Sequence, residues 1–383
     1  MDLAALRRLR LRVQGLRRPF DASAPEVVRR FVAVQAQEFL PAQWGLAARV
    51  PEDGRPDAAS VAAALDRGDI LRTHVLRPTW HFLHPADARW VMELSAERVH
   101  RANGTMYRRT GVEGETATRA LDLVAGSVAG GHRTRAELSS ALEAGGLPFA
   151  GLAFGYVLML AELERVAISG ASVGRQRTYA AFDERVPAAA VRPRDEALAE
   201  LAARFIRSRG PVSARDFSVW SGFTLRDARK AFTDAAEPAG AHGSRIEQVD
   251  VDGEPHLLDA EVADAASARS NDGEPDAAGP RGTVDLLQAY DEYIMGYAAP
   301  RAYLQPPGRA DPVQPEFPLH AMMVDGVMCG RWAPVVQAKR ATVRIVPWRS
   351  FSRAEERSLA ASVTQVERFL GVPVTVECEA PTA

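Results

Sequence analysis

The chain has 383 residues, of which 46% are hydrophobic and 25% are charged, the balance of a soluble globular protein with room for two or three domains. No run of about 18 apolar residues spans a membrane, and we expect no secretory signal because the start of the chain is laced with arginine. Two cysteines, Cys329 and Cys378, exclude a disulfide framework and a cysteine-rich zinc module and fit a reducing cytoplasm.

The net charge of −2 conceals an uneven distribution of charged residues. Residues 247–280 carry ten acidic residues and one basic residue, a local charge of −9, so the rest of the chain carries +7. Residues 1–30 hold eight arginines against three acids, and residues 98–109 hold four arginines and no acid. A positive body with a separate acidic segment suits a partner that bears phosphates, although solvated arginine surfaces explain the pattern equally well.

A unit made of a short helix, a turn, a second helix and a β-hairpin is predicted three times. The first copy covers about 20–84, and its Ser23 and Glu26 form a capping box at the start of a helix. This helix is predicted over 24–38 and is expected to end before Pro41. Shorter helices are predicted over 42–48 and 57–68.

The hairpin of the first copy is predicted over 70–84, where β-branched and aromatic residues are frequent, with a turn at Arg77-Pro78. As a wing, it presents cations and an aromatic ring to DNA phosphates or to a minor groove. The alternative, equally open, is a core hairpin with its aromatic side chains packed inside. No metal site is expected, because its histidines point in different directions along the strand. The candidate DNA contacts are Arg72, Arg77, Trp80 and His81.

The second copy covers about 133–182. Thr134 and Glu137 form another capping box, and an apolar helix is predicted over 150–164. Two strands are predicted around a turn at Gly170–Gly174. Three arginines flank this turn and either grip a DNA backbone or lie on a solvated wing: Arg165, Arg175 and Arg177.

The third copy covers about 194–258. Its first helix is predicted over 194–209 and is expected to end at Gly210-Pro211. The remaining elements are a short helix capped by Ser213, a helix over 225–235 that Thr224 begins, and a hairpin over 246–258 that turns at Asp252-Gly253.

Helix-turn-helix followed by a β-hairpin is the winged-helix pattern, and three copies favour it over an α+β enzyme with ordinary hairpins, which stays open. The fold class is therefore α+β, with three tandem winged-helix motifs and a small β-rich C-terminal region. The predicted domains are a first unit over 1–110, a second over 111–190, a third over 191–260, a flexible acidic loop over 261–282 and a C-terminal α/β region over 283–383.

The C-terminal region begins with Tyr290-Asp291-Glu292-Tyr293, which we interpret as packed tyrosines with capping or paired carboxylates, without chemistry. The other elements predicted there are a hairpin that turns at Asp325-Gly326, strands over 341–347 and 372–378, and a helix over 353–370.

The first capped helix carries polar side chains where its apolar surface is expected. Projected at about 100° per residue, Val27, Phe31 and Val34 form an apolar stripe, Gln35 and Glu38 fall inside it, and Gln37 lies at its edge. Buried amides are costly unless they are hydrogen-bonded. The end of this helix therefore either opens onto a cleft or forms a satisfied polar network; alternatively, the two glutamines bond the last free carbonyls of the helix.

Three segments together resemble the AlkZ/YcaQ (AlkX) family of winged-helix DNA glycosylases. They are VQAQE at 34–38 with the following GLAAR, LRTHVLRPTWHFLHPAD at 71–87, and AYDEYIMGY at 289–297. The resemblance implies a C-shaped arrangement of three winged helices around duplex DNA, removal of alkylated purines and, in the AlkZ branch, unhooking of bulky adducts or interstrand crosslinks.

The resemblance also implies a catalytic pair. The two glutamines of the family's Gln-x-Gln element correspond to Gln35 and Gln37, and the second glutamine places the chain with the AlkZ branch, since YcaQ-like members have Asp there. Glu38 is a weaker candidate that orients the amides or aids the water, or is a structural carboxylate.

The implied chemistry is consistent with these side chains. An N7- or N3-alkylated purine is already cationic and leaves without protonation, so what remains is to orient water and stabilise an oxocarbenium-like sugar. The only two lysines, Lys230 and Lys339, offer no nearby Schiff base, so a monofunctional reaction without a cofactor is expected. Bulky adducts would require an open cleft rather than a snug pocket.

Two other classes of function stay open from the sequence: a DNA-binding regulator without catalysis, and a protein that sequesters an alkylating agent. The glycosylase is the main hypothesis, acting in the cytoplasm, as a monomer, on double-stranded DNA, with no membrane partner.

Overall fold

The computed structural model describes residues 1–237, 245–262, 281–306 and 320–381. Within these ranges helices pack around four β-sheets, so the predicted α+β class is confirmed. The predicted acidic loop 261–282 lies almost entirely outside the described residues. Among the described residues no helix is both long and apolar enough to cross a bilayer.

In the first unit the helix capped by Ser23 is shorter than predicted. The capping box is present, with the Ser23 backbone N–H donating to Glu26 Oε2 over 2.6 Å. Val32 then takes a φ of 65°, and the chain turns into a short strand. The elements of this unit are α1 Leu3–Val13, α2 Ala24–Phe31, β1 Ala33–Gln35, α3 Phe39–Ala47, α4 Ala58–Arg67, β2 Leu71–Val75 and β3 Arg77–Leu83.

Two expectations for this unit are wrong in detail. Pro41 does not end a helix; it lies in the first turn of α3, where its missing N–H has no helical partner to lose. The hairpin turns one residue earlier than Arg77-Pro78, because Leu76 adopts the left-handed conformation with a φ of 62°. β3 is central in a sheet of order β1-β3-β2, which brings the end of α2 beside the hairpin.

The second unit follows its prediction closely. Thr134 and Glu137 form a capping box, and the apolar helix covers Gly151–Leu163. Its short sheet has the order β4-β6-β5, and its own apolar core includes Val124, Leu142 and Val157. The elements are α5 Pro85–Thr110, which leads in, then α6 Gly114–Val128, β4 Arg133–Thr134, α7 Arg135–Ala144, α8 Gly151–Leu163, β5 Ala167–Ser169, β6 Thr178–Ala181 and α9 Phe182–Arg185.

The third unit also matches the sequence pattern. Ser213 caps its second helix, and both Asp252 and Gly253 have positive φ, as a two-residue hairpin turn requires. The elements are α10 Arg194–Arg209, α11 Ala214–Ser221, α12 Leu225–Ala236, β7 Ile246–Val251 and β8 Glu254–Asp259.

The C-terminal region is a five-stranded sheet of order β13-β12-β11-β10-β9, antiparallel except for the β12–β13 pair. The hairpin turns at Asp325-Gly326, as predicted. The elements are β9 Val284–Leu287, α13 Glu292–Met295, β10 Ala321–Val324, β11 Val327–Val336, β12 Ala341–Pro347, α14 Arg353–Leu370 and β13 Val374–Cys378.

The hydrophobic core does not follow the predicted domain boundaries everywhere. One cluster joins the first and third units through residues such as Leu71 and Phe205, and a second joins the first unit to the C-terminal sheet through Val28 and Ile345. The first unit therefore packs against both the third unit and the C-terminal sheet, and the segment that follows α2 lies between these two cores. The division into domains stays a prediction.

Candidate active site

The Gln35–Glu38 segment is an extended edge strand and loop, not the end of a helix. Gln35 pairs with His81 of β3, and the Ala36 N–H donates to the Trp80 carbonyl over 2.7 Å. β1 ends at Gln35 and the chain bends at residues 37–38, so the Gln35 side chain is buried, Ala36 is fully buried and the Gln37 side chain is exposed. The interpretation in which both amides close the helix end is therefore wrong.

Gln35 is fixed by two charged groups. Its backbone N–H donates to Glu292 Oε1 over 2.9 Å, and its side-chain oxygen accepts from Arg77 Nη2 over 2.9 Å. The side chain is only 2% exposed, so this charge-assisted bond is shielded from water. An amide oxygen has two lone pairs, so the bond from Arg77 uses one of them.

Gln37, in contrast, is exposed. Its Oε1 accepts from the Trp80 backbone N–H over 3.2 Å, and Arg72 donates to the Ala36 and Gln37 carbonyls over 3.0 and 3.4 Å. Arg72 thus holds the backbone of Gln37, and the Trp80 backbone holds its side chain. Arg72 and Trp80 also line a neighbouring cavity, although Gln37 does not.

Guanidinium groups and aromatic rings form a positive wall beside Gln37. The Arg72 guanidinium lies 4.0 Å from the Trp80 ring centroid, and that of Arg177 lies 3.8 Å from the Phe39 centroid. Burial, reinforced by repulsion from Arg177, lowers the pKa of Arg72 to about 10, so it stays protonated at neutral pH. This wall is suited to stacking bases and contacting phosphates.

Glu38 has a partner, His320, that no pattern in the sequence predicts. Its Oε2 lies 3.0 Å from His320 Nε2, and the Glu38 side chain is 43% exposed. Burial lowers the pKa of His320, although Glu38 opposes this, so the ring is neutral at neutral pH. His320 belongs to no motif and meets Glu38 only because the C-terminal sheet packs on the first unit.

Asp291 and Glu292 are buried carboxylates next to the Gln35–Glu38 segment, and Glu292 accepts from the Gln35 backbone N–H. Glu292 is 1% exposed and bonds Arg209 over 2.7 Å, and Asp291 bonds Arg49 over 2.7 Å. Tyr293 is fully buried, which confirms the interpretation of packed tyrosines with capping or paired carboxylates.

The remaining candidate DNA contacts lie in different environments. His81 is fully buried, so DNA contact is not available to it, and this candidate is corrected to a core residue. Arg165 is partly buried, with its Nε 4.0 Å from Glu93 Oε1, whereas Arg175 and Arg177 are exposed on the second hairpin. In the part of the chain that the structure describes, no cluster of side chains is suited to hold a metal ion.

We expect His81 to make stability depend on pH. Burial, and then repulsion from Arg77, lowers the pKa of this imidazole well below 6.5, and its Nε2 has no hydrogen-bond partner in the described structure. The unfolded chain binds a proton at about pH 6.5 that the folded protein excludes. The stabilisation is therefore complete above pH 6.5 and is lost as the pH falls, by up to about 1.4 kcal/mol per pH unit.

His81→Asn removes this titration. We expect a shallower fall in the free energy of unfolding between about pH 6.5 and pH 5 than in the unaltered protein, measured by denaturant titration. The difference between the two proteins isolates His81 from the other histidines. Parallel pH profiles would contradict the assignment.

Comparisons with known proteins point in one direction. Residues 28–369 match the model of a family described as "DNA glycosylase AlkZ-like". An interstrand DNA cross-link repair glycosylase from Streptomyces sahachiroi is 24% identical over 376 residues, covering 95% of each chain. The solved structure of the Streptomyces sahachiroi DNA glycosylase AlkZ superposes with a TM-score of 0.74 at 22% identity, covering 98% of this chain and 100% of that one, which establishes a shared fold.

Proposed function

Because the chain belongs to the AlkZ-like family of DNA glycosylases, we propose that it is a monofunctional enzyme that releases cationic N7- or N3-alkylated purines from duplex DNA. Membership of an enzyme family favours this over a regulator without catalysis and over a protein that sequesters an alkylating agent. The similar Streptomyces sahachiroi protein is named for cross-link repair, which supports including bulky adducts and interstrand crosslinks among the substrates.

The observation that carries the proposal is the pair of amides on one segment beside a wall of cations. Gln35 is immobilised by Arg77 and Glu292, and Gln37 is exposed next to Arg72 and Trp80. Preorganised dipoles of this kind stabilise developing charge without reorganising during the reaction.

In the proposed reaction, the electrons of the glycosidic bond pass to the cationic base, which leaves neutral, and positive charge develops on the sugar. The amide oxygens of Gln35 and Gln37 face that charge and accept hydrogen bonds from the attacking water. Water adds to C1′ and its proton is lost late, so no strong base is required. We propose that Glu38, which bonds His320, orients the amides or receives that proton.

The surrounding protein is proposed to hold the duplex. The three helix–hairpin units act as winged helices that form a C around DNA, and the exposed Arg175 and Arg177 contact its backbone. Lys230 is ion-paired with Asp195 and Asp234 on the third unit, which supports the absence of a Schiff-base step. A monomer is sufficient for this arrangement.

The direct test is incubation of the protein with duplex DNA that contains 7-methylguanine. We expect free 7-methylguanine together with abasic sites that break only under alkali. Borohydride is expected to trap no covalent protein–DNA species, since the enzyme is monofunctional. Duplex binding without base release would remove the proposed substrate.

Arg77→Met is expected to slow base release by about tenfold to a hundredfold, because it removes the charged donor that fixes the Gln35 amide. Duplex affinity is expected to change little, since Arg77 is directed at Gln35. The matched control is Arg67→Met at a guanidinium that is 62% exposed and paired with Asp69. Equal rates for both variants would remove the positioning role of Arg77.

A further inference from the structure

Glu38 and His320 form a carboxylate–imidazole pair at the edge of the candidate active site. Glu38 directly follows Gln37, and its Oε2 lies 3.0 Å from His320 Nε2. The Glu38 side chain is 43% exposed, whereas that of His320 is only 15% exposed. The pair is therefore accessible on its carboxylate side and enclosed on its imidazole side.

The C-terminal sheet holds the His320 ring in place. The His320 carbonyl accepts from the Trp332 backbone N–H over 3.0 Å, and the two rings pack edge to face with centroids 5.4 Å apart. Trp332 is buried, and its Nε1 donates to the Leu287 carbonyl over 2.8 Å. A ring fixed in this way loses little conformational freedom when it bonds Glu38, so the contact is preorganised.

The hydrogen bonds of His320 favour a neutral donor. A carboxylate only accepts, so Nε2 carries the proton that His320 donates to Glu38. Nδ1 is buried and has no hydrogen-bond partner among the described residues. A second proton at Nδ1 would create a buried N–H without an acceptor, in agreement with the burial that lowers the pKa of this ring. The pair therefore keeps the negative charge of Glu38, which an arginine partner would cancel.

The hydrogen bonds around Glu38 separate its two proposed roles. The amide oxygens of Gln35 and Gln37 accept from Arg77 and from the Trp80 backbone N–H, and in the described structure neither amide bonds Glu38. Glu38 also makes no side-chain cap to the helix that follows it. Its Oε1 thus has no hydrogen-bond partner among the described residues. The amides are oriented without Glu38, and its partly exposed oxygen is free to accept a proton.

We propose that His320 is a positioning residue for Glu38, which takes the proton of the attacking water during base release. The water oxygen bonds C1′, the glycosidic electron pair leaves with the base, and the water proton passes to Glu38 Oε1. Solvent then removes this proton from the exposed carboxyl group. His320 holds Oε2 and favours the anionic carboxylate without taking the proton itself. The inference rests on the proposed function and selects one of the two roles of Glu38.

Tyr290 is the other titratable group that interacts with Glu38 among the described residues. Burial, and then the negative charge of Glu38, raises the pKa of this phenol, so it stays neutral. The acidic limb of the pH–rate profile therefore reports Glu38 together with its His320 donor. Loss of the donor disfavours the ionised carboxylate, so on acidification activity is lost at a higher pH.

The test uses two substitutions of His320 and one matched control. His320→Phe keeps a ring against Trp332 and removes the donor. His320→Gln keeps a side-chain N–H donor. The control is His100→Phe, because His100 Nε2 lies 3.1 Å from Glu164 Oε1 in a similar pair, with side chains 23% and 48% exposed.

Release of 7-methylguanine from methylated duplex is measured in single turnovers as a function of pH, with the free energy of unfolding determined in parallel. At neutral pH we expect His320→Phe to slow release by about tenfold and to move the acidic limb to higher pH. His320→Gln should restore most of the rate and of the original profile. His100→Phe should leave both unchanged.

A double variant tests whether His320 acts through Glu38. Glu38→Gln removes the proton acceptor, so we expect it to slow release by about a hundredfold, the lower end for general acid–base catalysis, and to abolish the acidic limb. Adding His320→Phe to Glu38→Gln should cause almost no further loss. Losses that multiply would show that His320 acts independently of Glu38 and would overturn the positioning role.

The outcomes separate this inference from the function on which it rests. If the unaltered protein releases no 7-methylguanine, the proposed function fails and this inference fails with it. If base is released and His320→Phe keeps both the rate and the acidic limb, the inference is wrong while the glycosylase reaction stands. If His320→Gln or His100→Phe is as slow as His320→Phe, the effect is structural and the positioning role is likewise overturned.

Discussion

Replacing Gln37 with Ala is expected to lower the rate of 7-methylguanine release by about 10²–10³-fold while duplex affinity stays nearly unchanged. The side chain is exposed, and its only hydrogen bond in the described structure is from the Trp80 backbone N–H, so its removal leaves no buried polar group behind. The loss therefore falls on the transition state rather than on folding or DNA binding.

The measurement is single-turnover base release, with the free energy of unfolding determined in parallel. Gln248→Ala, which removes an exposed amide on the hairpin of the third unit, is the matched control and is expected to be neutral. Gln37→Glu keeps an acceptor oxygen next to the developing sugar cation, so it is expected to retain more activity than Gln37→Ala. Release at the original rate by Gln37→Ala would remove this residue from the catalytic pair.

Local signals in the sequence predicted most of the fold. The capping boxes at Ser23, Thr134 and Ser213 begin helices in the structure, and the turn at Asp252-Gly253 has the two positive φ angles that this pair favours. These features depend on neighbours only a few residues away, which is why they can be read directly from the chain.

The end of α2 depends on residues far away in the chain, so the prediction of a helix over 24–38 is wrong. The Arg209 guanidinium, 178 and 176 residues away in the sequence, donates hydrogen bonds to the Phe31 and Ala33 carbonyls over 3.1 and 3.0 Å. Carbonyls that accept hydrogen bonds from a guanidinium, at the start of a β-strand, are not paired with the N–H groups of a further helical turn. No pattern within residues 24–38 reveals this, so the sequence pattern assigns Gln35 and Gln37 to the wrong kind of element, and their role as a catalytic pair stays a proposal.

Separation along the sequence also limits how much of the rest of the candidate site can be predicted. As cations on a hairpin, Arg77 and Arg72 are predicted to contact DNA, and that role stays a prediction. In the structure Arg77 donates to the Gln35 amide oxygen and Arg72 donates to the Ala36 carbonyl. His320 and Glu292 reach the segment only through tertiary packing. The residue types indicate the chemistry of the site, whereas the contacts between these residues depend on the tertiary fold.

Glu292→Gln is expected to lower the free energy of unfolding by about 3–5 kcal/mol, the cost of leaving a buried charge without its partner. Both side chains of the Glu292–Arg209 pair are at most 1% exposed, and Glu292 also accepts from Trp220 Nε1 and from the Gln35 backbone N–H. The matched control is Glu377→Gln, which breaks a pair with Arg344 whose side chains are both 57% exposed. That change is expected to cost at most about 1 kcal/mol in the same denaturant titration.

A double variant tests whether the uncompensated charge is the cause. Replacing both Glu292 and Arg209 with Met removes the charge, so the double variant is expected to be more stable than Glu292→Met alone. It should not recover fully, because the Phe31 and Ala33 carbonyls lose the donor that Arg209 supplies. If Glu292→Gln and Glu377→Gln were equally mild, the pair would not be what anchors the Gln35 segment, and its fixed geometry would have to come from the hairpin alone.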